Sequence, residues 1–284
     1  MKGIYYVEQI DWDDLRMNDL EKMWGNNVLK RLRQGLPAFG ISVRGIRSSD
    51  IAHVARASGH HFLFVDTQHS IFNKESLYQI AQLSASIGVA PMVRVRSVRD
   101  EDSSLLLDNG FQGIIFPDVN TVEEAQHAVS ICKFPPTGRR SVAGGYPMFN
   151  FSSKPLSDVT NHLNHETLVA VMIETEEGLE NIEQIAAVPG IDVIHVGTND
   201  LLTSMGLAGE FDHPKIKEAQ LRVINACKKN QIYAGCGGNR DVQRQALFIN
   251  KGVQFITTQT DIAFLSRAAC TWVSELNDLL DQQA

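Results

Sequence analysis

Eight short apolar runs, each followed by a stretch with helical spacing, constrain this chain more than any other feature of it. The runs that read as strands are 38–43, 62–66, 92–96, 113–117, 169–174, 193–197, 233–237 and 255–260. Helical patterns lie between them, among them 49–58, 74–87, 122–131, 215–230 and 241–250. Asn120-Thr121 caps the start of one, Asp212-His213-Pro214 the start of another, and Gly88, Gly110 and Gly252 close others. Such alternation predicts the α/β class, and eight repeats favour a closed (β/α)8 TIM barrel over an open sheet, although alternation does not itself reveal closure. No GxGxxG or Walker A pattern follows a strand, which counts against dinucleotide and P-loop folds.

A barrel of roughly 250 residues fits within the 284 available as a single domain with additions. Residues 1–35 read as an N-terminal extension and a leading helix placed to plug the barrel's bottom, ahead of a catalytic barrel over 36–284. Residues 132–166, rich in Pro, Gly and Ser, make an unusually long connection of the kind that serves as a lid, a binding loop or an interface arm.

A net charge of -7 argues against a nucleic-acid partner, and the run Lys30-Arg31-Leu32-Arg33 reads as a solvated helix face. Cys132, Cys227, Cys236 and Cys270 are widely spaced with no CxxC pair, which suits free thiols in a reducing compartment. No signal-like or membrane-length apolar run is present, so the expectation is a soluble, cytoplasmic protein without a membrane partner.

Active sites of such barrels lie at the C-terminal ends of the strands. The ionisable strand-end residues here are Asp66 and His69, Arg94 and Arg96, Glu174, and Asp200. Glu174 and Asp200, on successive strands, suit a hard dication such as Mg²⁺ or Mn²⁺; they equally suit helix N-termini, where acids favour the dipole. Period-two alternation turns Arg94 and Arg96 inward and Val93 and Val95 outward. An inward arginine needs an anion, either a substrate carboxylate or a structural acid such as Glu174 or Asp66. Asp66 and His69 form either a general-base pair or a local turn contact. His195, between Ile194 and Val196, reads as core. The eight runs contain no lysine, which disfavours Schiff-base chemistry and points any carbonyl chemistry toward a metal.

Several ordered stretches carry a family resemblance: FLFVDTQHS (62–70), APMVRV (90–95), GIIFPDVNTVEEA (113–125), FPPTGRRSV (134–142), MIETEEGLENIEQIAAVPGIDVIHVGTNDL (172–201) and TQTDIAFL (258–265). The chain resembles the HpcH/HpaI family of class II pyruvate aldolases, relatives of macrophomate synthase, from about residue 27 to 280. The resemblance implies metal ligands at Glu174 and Asp200, with Mg²⁺ or Mn²⁺ as the ion and Co²⁺ a further candidate. It implies that Arg94 contacts the keto acid and stabilises its enolate, and that Asp66 and His69 handle proton transfer. Gly197, Thr198 and Asn199 would receive the pyruvate carboxylate. The implied reaction is aldol cleavage of a 4-hydroxy-2-keto acid to pyruvate and an aldehyde, with oxaloacetate decarboxylation as a companion activity. The implied assembly is a homo-oligomer, a hexamer or trimer of dimers, with the last helix packed on a neighbouring barrel.

Three departures bear on the substrate: Met172 in place of a glutamine, Gln68 in place of an acid, and Thr198-Asn199 in place of Pro-Ala. Two other readings compete. A citrate-lyase-like acyl-CoA lyase needs a basic groove for the CoA phosphates, which only Arg139 and Arg140 hint at; a non-catalytic binding or assembly barrel predicts a degraded site.

Overall fold

The computed structural model describes residues 24–282. Its strands are β1 (Ala38–Val43), β2 (Phe62–Asp66), β3 (Ala90–Arg94), β4 (Gly113–Phe116), β5 (Leu168–Ile173), β6 (Val193–Gly197), β7 (Tyr233–Gly237) and β8 (Val253–Thr260). Each pairs in parallel with the next and β8 returns to β1, so the sheet closes as a barrel with helices between strands. Caps read from the sequence form: Thr121 and Glu124 make a reciprocal capping box, and His213 caps a helix whose first residue is Pro214. Among the described residues no helix is long and apolar enough to cross a membrane.

Strand β3 begins and ends two residues earlier than the Val-Arg-Val-Arg alternation suggests. Pro91 is accommodated near the strand's start, where a missing N–H costs little. Past Arg94 the chain turns, and the Arg96 backbone and guanidinium both go to Asp100 at 3.0 and 2.9 Å. Arg96 therefore does not point into the barrel; its side chain is 65% exposed. Alternation is a property of strands and stops where the strand stops.

Inside the barrel, period two stacks residues into columns such as Phe62, Phe64 and Asp66, or Ala90, Met92 and Arg94. The lower layers are apolar, with Phe62 and Phe255 stacked at 4.2 Å between ring centroids. Gly40 faces this stack, and a Cβ there would strike the Phe62 ring. Val28, Leu29 and Leu32 of the leading helix Asn27–Arg33 join the same cluster and close the bottom. Its cap, Asn26, donates to the carbonyls of Gln112 and Glu166 at 2.9 and 3.0 Å, which ties the helix to the segments entering β4 and β5.

The 132–166 connection covers that same end. It is more ordered than its composition suggests, with a short 3-10 turn Pro147–Phe149 and a helix Leu156–Glu166. Trp24, Phe134, Tyr146, Met148, Phe149, Val159 and Leu163 give it a small core of its own. Arg140 is buried, 2.6 Å from Asp108 and stacked over Phe134, and Arg139 lies beside His127. A lid over the active site is thereby ruled out for this segment. It links a helix end to a strand start, and such links lie at the barrel face opposite the catalytic one.

The terminal helix Asp261–Asp281 leaves the barrel after its first turn. Asp261 is buried and accepts the backbone N–H groups of Arg44, Gly45 and Ile46. Beyond it Leu265, Trp272, Val273, Leu276 and Leu280 stand exposed, Trp272 by 67%.

Removing the ring of Phe62 leaves a void between Gly40 and Phe255. Phe62→Ala should lower stability by about 3–5 kcal/mol, read as a fall in the urea midpoint at constant slope.

Candidate active site at the barrel mouth

Where the apolar columns end, at the C-terminal rim, they give way to polar side chains around a cavity of about 270 Å³. Ser42 and Arg44 come from β1 and its exit, Asp66 from the end of β2 and His69 from the turn after it, Arg94 from β3, and Glu174 from the exit of β5. Residues 197–200 come from the end of β6, Gly237, Gly238 and Arg240 from β7 and beyond, and Thr257 from β8. All of the residues singled out as catalytic, substrate-binding or metal-ligating, namely His69, Asp66, Arg94, Gly197, Thr198, Asn199, Glu174 and Asp200, line this one cavity. A larger, mainly apolar hollow of about 560 Å³ lies between residues 67–78 and 96–111, but its charged residues pair among themselves, as Lys74 does with Asp102 and Arg96 with Asp100.

Asp66 and Arg94 are register neighbours on β2 and β3. Arg94 donates Nε to Asp66 Oδ1 at 3.1 Å and Nη2 to Oδ2 at 2.7 Å, a bidentate pair with the carboxylate fully buried. Arg44 Nε adds a contact to Oδ2 at 3.2 Å. Burial pushes the Asp66 carboxyl up, but the Arg94 hydrogen bonds and charge, the His69 N–H and Arg44 together hold it below the ordinary carboxylate range. His69 meets Asp66 through its backbone N–H, 3.2 Å from Oδ1, and its ring lines the cavity.

Glu174 is 2% exposed. Its Oε2 accepts the Asp118 N–H at 3.0 Å, its Oε1 lies 3.9 Å from Arg94 Nη1, and its carboxylate presses on Gly197, where a Cβ would strike it. Burial raises its carboxyl to about 7; the Asp118 N–H and Arg94 oppose that, while the Asp118 and Asp200 carboxylates add to it. Burial, then Asp200, raises the Asp118 carboxyl in turn. Glu174 does not cap the following helix, because Thr175 does so by accepting the Gly178 N–H. Asp200 sits in the first turn of Thr198–Ser204 without capping it. The acids at this rim are thus close enough to repel, and Arg94, committed to Asp66, leaves Glu174 short of positive charge. That donor set fits a hard dication, with water and substrate oxygens completing its shell. Among the described residues no group of three or more His, Cys, Asp or Glu is placed so that those side chains alone could hold a metal ion.

His195 is buried as expected for a core residue, yet it forms part of the cavity floor. Burial and then the Arg94 charge push its pKa down to about 3, so the ring is neutral, with Nε2 3.2 Å from Thr257 Oγ1. Arg44 and Arg240 were not anticipated. Arg44 lies one residue past β1, where the strand-end rule applies; Arg240 lies three residues past β7, in a loop whose direction no periodicity encodes.

The HpcH/HpaI aldolase/citrate lyase domain matches residues 45–268. The chain is 34% identical over 249 residues to a 4-hydroxy-4-methyl-2-oxoglutarate aldolase of Chaetomium globosum, covering 86% of this chain and 92% of that one. Its fold superposes on an HpcH/HpaI aldolase from Desulfitobacterium hafniense with a TM-score of 0.83 at 25% identity, over 87% of this chain and 95% of that one. It also superposes on macrophomate synthase with a TM-score of 0.77 at 26% identity, over 92% of each chain. With the barrel, the rim residues and the matched span in agreement, this chain belongs to the HpcH/HpaI aldolase/citrate lyase family.

Proposed function

We propose that this carbon–carbon lyase cleaves a 4-hydroxy-2-keto acid to pyruvate and an aldehyde, or runs the reverse aldol addition, with a divalent cation held by Glu174 and Asp200. The observation that carries this reading is the buried, charge-deficient Glu174 facing the same cavity as Asp200, with Arg94 anchored beside it. Mg²⁺ and Mn²⁺ suit the two carboxylates, with Co²⁺ a further candidate. When bound, the ion supplies Lewis acidity toward the keto and carboxylate oxygens of the substrate.

The chain's own residues do the rest. Backbone at Gly197, Thr198 and Asn199 receives the substrate carboxylate. Arg94, fixed by Asp66, places positive charge where the keto oxygen gains electron density, and such preorganised charge contributes a few kcal/mol. In cleavage, His69, steadied through its backbone by Asp66, takes the proton of the C4 hydroxyl. The C3–C4 electron pair passes to C3 and toward the keto oxygen as the aldehyde departs, and a proton returns to C3 to give pyruvate. Oxaloacetate would lose CO₂ along the same path of electrons. The acyl-CoA reading loses its one support, because Arg139 and Arg140 lie at the other end of the barrel with Arg140 buried.

The four free cysteines, three of them buried, suit a cytoplasmic location. The exposed apolar side chains of the terminal helix support a homo-oligomer, a hexamer or trimer of dimers in which that helix packs on a neighbouring barrel.

Pyruvate release from a panel of 4-hydroxy-2-keto acids and oxaloacetate, followed with EDTA and with added Mg²⁺, Mn²⁺ or Co²⁺, tests the reaction. Chelation, Glu174→Ala or Asp200→Ala should each abolish turnover; full activity of either variant in stripped buffer would overturn the metal assignment. Because a proton and the ion compete for Glu174, whose pKa is raised to about 7, apparent affinity should fall about tenfold per pH unit below that point. Titration calorimetry with Mn²⁺ at pH 6 and pH 8 reads this, and equal affinities would remove Glu174 from the ligand set. Light scattering after size exclusion should give a multiple of the 31.5 kDa chain mass, and a clean monomer would dismiss the assembly.

A further inference from the structure

We propose that Asp118 is a positioning residue for Glu174: a one-residue bulge after β4 turns its backbone N–H out of the sheet and onto the carboxylate assigned to the cation. This rests on the metal assignment above and concerns how that ligand is kept in place. Pairing of β4 with β5 starts regularly, with the Leu168 N–H donating to the Gln112 carbonyl at 2.9 Å. Continued two residues at a time, that parallel ladder would give the Asp118 N–H to the Met172 carbonyl. The Val119 N–H takes that place instead, at 3.1 Å. One residue is therefore extra on the β4 side, and the freed Asp118 N–H donates to Glu174 Oε2 at 3.0 Å. Among the described residues no other hydrogen bond reaches that buried carboxylate.

The bulge depends on an uncommon backbone conformation. Asp118 has a φ of +51°, in the left-handed region that most side chains oppose and that Gly, Asn and Asp tolerate best. Two side chains then lace this turn to the exit of β5. Asn120 Nδ2 donates to the Asp118 carbonyl at 3.1 Å, and its Oδ1 accepts the Thr175 hydroxyl. Thr175 directly follows Glu174 and caps the helix Glu176–Glu180. Asn181 Nδ2 reaches back to the Asn120 carbonyl at 2.8 Å. Gly178 allows the close approach, since a Cβ there would meet the Val119 carbonyl at 2.9 Å.

Glu174 is thus held twice by the same turn. The Asp118 N–H holds its carboxylate, and Asn120, through Thr175, holds the backbone beside it. A glutamate side chain is flexible, and fixing it before the ion arrives removes an ordering cost from binding. The role belongs to the N–H of residue 118 and to the conformation that aims it; the Asp118 carboxylate is not part of it.

The test compares Asp118→Gly with Asp118→Val by titration calorimetry with Mn²⁺ and by the visible spectrum of the Co²⁺-loaded protein. Both variants lack the carboxylate, so its charge drops out of the comparison. Glycine keeps the left-handed turn and valine opposes it. Mn²⁺ affinity should be about tenfold lower in Asp118→Val than in Asp118→Gly, and the Co²⁺ absorption bands should differ between the two. Asn120→Ala keeps Asp118 and loosens the turn, so it should weaken Mn²⁺ binding even where the valine variant fails to fold. Equal affinities and spectra in the glycine and valine variants would overturn the positioning role alone. So would wild-type Mn²⁺ affinity in Asn120→Ala. A wild-type protein that binds no Mn²⁺, or binds it as tightly after Glu174→Ala, would sink the metal assignment and this role with it.

Discussion

The pairing of Asp66 with Arg94 organises everything at the mouth of this barrel. Neither group could be buried alone, and breaking such a pair costs about 3–5 kcal/mol. Their strands put them side by side, so the guanidinium lies flat against the carboxylate with both hydrogen bonds formed. Arg94 is then fixed near Glu174 without neutralising it. Had Arg94 paired with Glu174 instead, the acids of the β5–β6 rim would lack the unbalanced negative charge that suits a dication.

Stability and chemistry are divided along the barrel axis. The lower end is apolar, stacked on Phe62 and Phe255, sealed by the leading helix and covered by the 132–166 segment. The upper end carries charges that a stable core would exclude. The columns explain how one strand serves both: a step of two residues keeps the same face while moving up the axis, from Phe62 through Phe64 to Asp66. The cost of gathering Asp66, Glu174, Arg94 and Arg240 at the mouth is borne by a core that shares none of those residues.

Much of this was legible in residue order. Eight apolar runs pointed to eight strands, because each is too short for a helix and each is followed by a stretch with helical spacing, several of them capped. Glu174 and Asp200 were legible because the C-terminal end of a parallel strand opens onto the same rim in every repeat. The inward direction of Arg94 followed from Val93 and Val95 on the other face. The same rule failed at Arg96, where the chain had already left the ladder and turned to Asp100.

Residue order by itself determined the number of strands, which face of each looks inward, and which acids stand at their ends, because these depend on local spacing alone. Tertiary structure decided the partners. Asp66 chose Arg94 over the His69 ring because β2 and β3 are neighbours in register. The 132–166 segment went to the far end because of the direction of the strand it feeds. Arg240 arrived in the cavity only through the closure that brings β7 and β8 round to β1. Coulomb energy depends on distance in space, and only folding turns separation along the chain into distance.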